Sequence, residues 1–246
     1  MHAITRTVLV TGASSGIGQA VARRLLAEGH HVIGTARDCG SFVKRHPRFG
    51  CYALDLAKPE TIAPLARQLQ QDFPELDTVV FCAGYGQFGS LEQFSYRQIE
   101  ELMMVNFTAQ AMLTRALLPK LKHLPRCNLV YIGSEAALLG RRQGSIYCAS
   151  KFALRGFTQA LRDECGTSCV RVTLINPGMV QTPFFDKLSF RPGEESGQFL
   201  QADDVADAVS YVLQAGEHMV VEEINLNPVN KVVRFKGKNG ADKNKD

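Results

Sequence analysis

The order of segments constrains this chain most. "TVLVT" (7–11) is a short run rich in β-branched residues, and "SGIGQAVARRLLAEG" (15–29) follows with helical periodicity, Ile17, Ala20, Val21, Leu25 and Leu26 sharing one side. Gly29 is a natural stop. The alternation continues. Strand-like runs fall at 31–36, 51–56, 77–84, 127–134, 168–178 and 220–226, and helix-like segments at 58–73, 95–121, 145–165 and 202–216. Pro59 opens the 58–73 segment, where a first helical turn accepts proline, and Pro64 is close enough to that start to be accommodated. Strands alternating with helices call for parallel strands with crossover helices on both faces. Runs such as "VVFC" are apolar without alternation, as strands covered on both sides should be. The expected fold is α/β: a single doubly wound Rossmann-type domain with a seven-stranded parallel sheet flanked by helices on both faces. It should span residues 1–235, leaving 236–246 as a mobile polar tail.

Charge excludes some functions. The net charge is +4, and residues 229–246 hold six basic and two acidic residues, so the rest is balanced at 22 against 22. No basic stripe for nucleic acid is implied. No run approaches the roughly 18 apolar residues of a membrane helix, and the N-terminus enters a strand with no signal-peptide run. The seven cysteines lack metal-finger spacing and read as reduced thiols of a cytoplasmic protein. The six histidines form no metal spacing, so no metal is expected.

"TGASSGIG" (11–18) carries the first chemical signal. It follows a strand and opens a helix, so Gly12, Gly16 and Gly18 permit a tight turn and close approach to an anion. The helix N-terminus offers unpaired N–H groups and positive partial charge to a pyrophosphate. A purely structural turn is the alternative; the position after the first strand favours a dinucleotide. At the end of the second strand, "GTARD" places Arg37 where a guanidinium would suit the 2′-phosphate of NADP. A shift of one residue would put Asp38 there and favour NAD. NADP(H) is therefore preferred and NAD(H) possible. Asp55 could bond the adenine amino group or merely cap the next turn. In an open parallel sheet, ligands sit beyond the carboxyl ends of the strands. "CAG" (82–84), Ser134 and "NPG" (176–178) all fall at such ends. Tyr147 and Lys151 lie four apart, on one face of the helix that follows Ser134.

These elements together resemble the short-chain dehydrogenases/reductases over roughly residues 5–226. The resemblance rests on Thr11-Gly-Ala-Ser-Ser-Gly-Ile-Gly18, Asp55-Leu56, Ala83-Gly84, Asn106, Ser134, Tyr147-Cys-Ala-Ser-Lys151 and Asn176-Pro-Gly178 with Thr182. Where the family usually has Asn-Ala-Gly, this chain has Cys82-Ala83-Gly84, a departure that touches the hydrogen bonds an asparagine would make. The resemblance implies an NAD(P)-dependent oxidoreductase that moves a hydride between the nicotinamide and a carbonyl or secondary alcohol. Tyr147 would be the acid/base. A free phenol titrates near 10, too high for a base near neutrality, and the Lys151 ammonium would favour the phenolate. Ser134 would bond the substrate oxygen. Asn106 would hold a water relay to Lys151, or simply bond backbone as a buried asparagine.

The resemblance also gives a cofactor set: Gly12, Ser14, Ser15, Gly16, Ile17, Gly18, Arg37, Asp55, Leu56, Ala83, Gly84, Tyr147, Lys151, Pro177, Gly178, Val180 and Thr182. Val180 could bond the carboxamide through its backbone, and Thr182 the carboxamide or a phosphate. Substrate contacts are expected from Tyr85, Glu135, Leu138, Gln143, Met179 and Phe184, with Phe88 also in a partly apolar pocket, under a covering loop at 185–199. Arg141 and Arg142 could attract an anionic substrate or be solvated. A small carbonyl or alcohol is the expected partner, with a homodimer or homotetramer formed through the helices at 95–121 and 145–165. Two other readings remain: a catalytically silent NADP-binding sensor or scaffold, and another nucleotide-using α/β enzyme, which leaves the Tyr–Lys pair unexplained.

Overall fold

The computed structural model describes residues 5–39, 46–236 and 243–244. Strands β1 (Thr7–Thr11), β2 (His31–Ala36), β3 (Phe49–Ala53), β4 (Leu76–Phe81), β5 (Cys127–Ile132) and β6 (Val170–Pro177) alternate with helices. The helices are α1 (Gly16–Ala27), α2 (Ile62–Asp72), α3 (Tyr96–Met103), α4 (Ala109–Leu121) and α5 (Ser145–Glu164). A short strand β7 (Phe190–Pro192), helix α6 (Ala202–Gln214) and strands β8 (Glu223–Leu226), β9 (Val233–Phe235) and β10 (Lys243–Asn244) complete the chain. Seven strands form one sheet in the order β3-β2-β1-β4-β5-β6-β8. Every pairing in it is parallel.

The apolar runs explain why both faces are covered. Successive strand residues point to opposite faces. Leu9, Ile33, Val79, Phe81, Leu129 and Val172 pack with α2, α4 and α5 residues such as Leu65, Leu113 and Leu154. Val8, Val10, Val32, Val80, Val130 and Ile175 pack with α1 and α6 residues such as Val21, Leu25, Val205 and Val209. A strand alternating with polar residues would leave one of these helical layers without a floor. Strand order reverses between β1 and β4, so a crevice opens there beyond the carboxyl ends of the strands.

Four expectations need correction. The 95–121 segment is not one α-helix: a π-helical turn, Met104–Thr108, separates α3 from α4. The third strand lies upstream of 51–56, at Phe49–Ala53, because Leu54 and Leu56 leave the sheet to bury themselves in the core. The cysteines are not all reduced thiols. Cys39 and Cys51 form a disulfide, because β2 and β3 pair in parallel and bring their Cα atoms to 5.8 Å. Finally, part of the expected tail joins a sheet. Lys236 donates its backbone N–H to the Ser189 carbonyl at 2.8 Å, and Lys243–Asn244 pair antiparallel with β9. Residues 237–242 and 245–246 lie outside the described residues. No helix among the described residues is long and apolar enough to cross a membrane.

A second, three-stranded sheet, β10-β9-β7, is antiparallel. Because β7 lies in the 185–199 segment, that expected covering loop is partly strand. Its partner β9 comes from the chain after β8. Lys236 Nζ reinforces the attachment by donating to the Phe185 and Asp186 carbonyls at 2.8 and 3.0 Å.

Candidate active site

The turn from β1 into α1 is built for close approach. Gly12 has φ +68°, and a Cβ there would meet Ala83 Cα at 2.9 Å. A Cβ on Gly18 would overlap the Gly12 carbonyl oxygen. Thr11 Oγ1 accepts the backbone N–H groups of Cys82 and Ala83, both at 3.1 Å, and ties this turn to the end of β4. Ser15 sits at the N-cap of α1 without a side-chain capping bond. The helix therefore keeps free first-turn N–H groups, the donors that bind anions. Ser14 is half-buried beside it, and its carbonyl accepts from Gln19 Nε2 at 3.4 Å. Arg37 is exposed just past the end of β2. Asp55 caps its own turn, accepting from the Ala57 N–H at 3.1 Å. Leu56 is buried in the core rather than presented to the crevice.

A cavity of about 720 Å³ opens beside this turn. Tyr147, Lys151 and Ser134 all line it. Helical spacing on α5 puts Tyr147 and Lys151 on one face, and Ser134 follows β5. Tyr147 is only 7% exposed. Burial raises its phenol to about 12, while a hydrogen bond with Ser134 opposes the rise. Lys151 is equally enclosed, and burial lowers it to about 8. Its ammonium donates to the Ile132 carbonyl at 3.1 Å and lies 5.9 Å from the centre of the Tyr147 ring. In the protein alone, burial therefore opposes the expected phenolate. Cys82, which replaces the family's asparagine, also lines the cavity. Burial lifts its thiol to about 12, so it stays neutral beside Lys151.

Asn106 occupies the π-turn, and the extra residue in that turn directs it inward. Its Oδ1 accepts the Tyr85 N–H, and its Nδ2 donates to the Tyr85 carbonyl, both at 3.0 Å. The same nitrogen reaches Ser150 Oγ at 3.3 Å. These contacts match a buried asparagine bonding backbone. Sequence reading missed Gln110, one turn further on, which donates to the Asn106 and Ala83 carbonyls at 2.9 and 3.0 Å. It also missed Asn176 as a brace: Asn176 Oδ1 accepts the Ser134 N–H at 3.3 Å, and its Nδ2 is held by Glu223 and Asn225. A buried polar residue in an apolar run was the available signal for both.

The profile of the short chain dehydrogenase family matches residues 6–191. The chain is a short-chain dehydrogenase/reductase. A mouse protein named dehydrogenase/reductase SDR family member 11 is 31% identical, over 92% of this chain and 95% of that protein. An uncharacterized oxidoreductase of Staphylococcus epidermidis is 28% identical over 91% and 97%. Among solved structures, the Thermococcus sibiricus alcohol dehydrogenase, complexed with 5-hydroxy-NADP, superposes with a TM-score of 0.83. It is 27% identical over 92% of this chain and 97% of its own. A serine dehydrogenase complexed with NADP⁺ superposes at 0.79, with 25% identity over 89% and 94%. The reductase family is one of oxidoreductases, and the cavity is where such an enzyme would do its chemistry.

Within this dehydrogenase, Ile17, Gly84, Pro177, Gly178, Val180 and Thr182 line the cavity with the Tyr–Lys pair. Thr182 lies against Gly16, so the stretch after β6 reaches back to the glycine turn. Of the expected substrate contacts, Tyr85, Glu135, Gln143, Met179 and Phe184 line the cavity. Leu138, which caps the short helical turn at Glu135–Ala137, does not. Phe88, expected in the pocket, lines it too, as do Phe185, Phe190, Val233 and Phe235. Among the described residues no cluster of three or more His, Cys, Asp or Glu side chains could hold a metal ion.

Proposed function

We propose that this enzyme reduces a carbonyl to a secondary alcohol with NADPH, and oxidises the alcohol in reverse, with Tyr147 as the acid/base. The observation that carries this is the meeting of Tyr147, Lys151 and Ser134 in one cavity that Ile17 of the glycine turn also lines. The turn suits a dinucleotide: a side chain at Gly12 or Gly18 would collide with main chain and force the tight turn open, and the N-terminus of α1 is uncapped by a side chain. Gly12, Ser14, Ser15, Gly16, Ile17 and Gly18 would hold the pyrophosphate and its flanks. Arg37 would take the 2′-phosphate, and Ala83, Gly84, Pro177, Gly178, Val180 and Thr182 the nicotinamide half. When bound, the nicotinamide supplies the hydride that reduction consumes.

Ser134 donates to the carbonyl oxygen and stabilises the charge that grows on it. Tyr147 gives its proton to the same oxygen, so one carbonyl, one hydride and one proton become one alcohol. Lys151 then makes the resulting phenolate tolerable and passes on the replacement proton. The resemblance adds a water relay from Lys151 through Asn106. Two solved relatives that carry NADP or its 5-hydroxy form support the choice of NADP(H). A cytoplasmic setting, where NADPH is replenished, goes with this reading, and Cys39–Cys51 would be a reducible bond there. The exposed Met112 of α4 and Phe152 of α5 support a homodimer or homotetramer built on these helices. Light scattering at micromolar concentration should give at least twice the 27.1 kDa monomer mass.

The decisive experiment follows nicotinamide absorbance against a panel of carbonyls and alcohols with wild type and Tyr147→Phe. The expected result is turnover with NADPH that falls by at least about 10³-fold in the variant, at unchanged NADPH affinity. Full activity of the variant would remove Tyr147 from the chemistry.

A further inference from the structure

The cavity has two unlike walls. Where β4, β5 and β6 end, the lining is small: Gly84, Gly133 and Gly178. Across from it stands a chain of rings. Phe88 lies 5.0 Å from Tyr147 and 4.9 Å from Phe190, and Phe190 lies 6.3 Å from Phe235. Phe184 closes the other side at 6.0 Å from Tyr147. Rings at these separations prefer edge-to-face and tilted contacts, and they present flat apolar surface to whatever lies between them and the turn.

The charges lining the same cavity are unbalanced. Glu135 is its one acid, and Lys231 pairs with it at 2.9 Å. Lys151 is committed to the Ile132 carbonyl. Arg141 and Arg142 remain, exposed at the rim, and neither makes an ion pair among the described residues. Their segment is held in place. Gln143 adopts φ 62°, and its carbonyl accepts the Gly89 N–H at 2.8 Å, next to Phe88. Two uncompensated guanidinium groups therefore stand at the open end of an aromatic slot whose closed end is the Tyr147 hydroxyl. Guanidinium groups favour carboxylate and related oxyanions through paired, charge-assisted bonds.

We propose that the substrate is a flat, apolar carbonyl compound that carries an anionic group distant from its carbonyl. The carbonyl meets Tyr147 and Ser134, the apolar body lies along Phe88 and Phe190, and the anion binds Arg141 and Arg142. This deepens the reductase reading and rests on it.

The test uses matched ketones: 4-acetylbenzoate and 4′-acetylbiphenyl-4-carboxylate, each beside its neutral carboxamide, with NADPH as reductant. The expected result is a kcat/KM at least about tenfold higher for the carboxylate of one pair or both, carried by KM, because contacts remote from the reacting carbonyl act on ground state and transition state alike. In Arg141→Gln/Arg142→Gln the preference should fall to about twofold or less, and in Arg141→Lys/Arg142→Lys part of it should survive. Carboxamides reduced as well as carboxylates would overturn this inference while leaving the reductase reading intact. If none of the four is reduced, equilibrium dialysis with NADP⁺ present decides: tighter binding of a carboxylate supports the inference, and equal or absent binding overturns it.

Discussion

The glycine turn and the aromatic wall of the cavity are built in opposite ways. In the turn, where we place the cofactor, backbone does the work. Gly12, Gly18 and Thr11 fix a turn in which added atoms collide with main chain, and the supporting strands are buried on both faces. On the substrate side, side chains do the work, and the supporting sheet has two three-residue strands and one of two. A main-chain cradle tolerates few sequences and binds one kind of ligand. An aromatic wall on short strands can change residue by residue without disturbing the parallel sheet. The difference separates what the family shares from what this member chooses.

Four experiments press on that contrast. The largest effect is expected at Arg37, the side chain proposed to take the 2′-phosphate. Arg37→Asp should lower the preference for NADPH over NADH by about 10²-fold, because a favourable charge-assisted bond becomes a repulsion. Steady-state kinetics with both cofactors measures it, and an unchanged ratio would return the role to Asp38 or to backbone.

pH comes next. Lys151 titrates at about 8 in the fold and at 10.5 when exposed, so it loses its charge as pH rises through 8. Tyr147 keeps its proton until about 12. Reduction should therefore fall roughly tenfold per pH unit above 8, while alcohol oxidation, which needs the phenolate, should not fall in parallel. The nicotinamide ring is positive in NADP⁺ and neutral in NADPH, so it lowers both values only in the oxidation direction, and each profile should be recorded at its own saturating cofactor. A flat reduction rate to pH 10 would remove the ammonium from the mechanism.

Phe190→Ala tests the aromatic wall. It removes edge-to-face contacts with Phe88 and Phe185, worth about 0.5–1.5 kcal/mol each. The KM for an aromatic ketone should rise several-fold, with the NADPH dissociation constant unchanged. If cofactor binding weakens equally, the two walls are not independent.

The smallest effect on turnover is expected from reducing Cys39–Cys51 with dithiothreitol. The bridge closes a loop of sequence separation 12, and releasing it should cost up to about 3 kcal/mol of folding stability. Calorimetry would show a lowered Tm. Because Cys39 lies two residues beyond Arg37, NADPH affinity should weaken a few-fold, with kcat unchanged.

The legible and illegible parts of the molecule divide along the same line. The parallel sheet could be read because each strand is a continuous apolar run, which only two-sided burial explains. Ser134, Tyr147 and Lys151 could be placed because strand ends and helical spacing fix them to one crevice. The π-turn at Asn106 could not, since "MMVNFT" keeps a helical pattern whether or not a turn holds one extra residue. The small sheet was hidden because three-residue strands have no periodicity to detect. Cys39–Cys51 was hidden too. Nothing in the spacing of seven cysteines says which two will face each other, and only the parallel register of β2 and β3 does.

The segment after β8 has a practical consequence. Residues 227–236 carry Lys231, Val233 and Phe235 to the cavity. The same stretch hooks the 185–199 loop through Asn230, Arg234 and Lys236. It can therefore be treated as an exchangeable cassette. Transplanting it from a relative, together with its partner loop, should carry substrate choice across while leaving the nucleotide cradle as the fixed chassis.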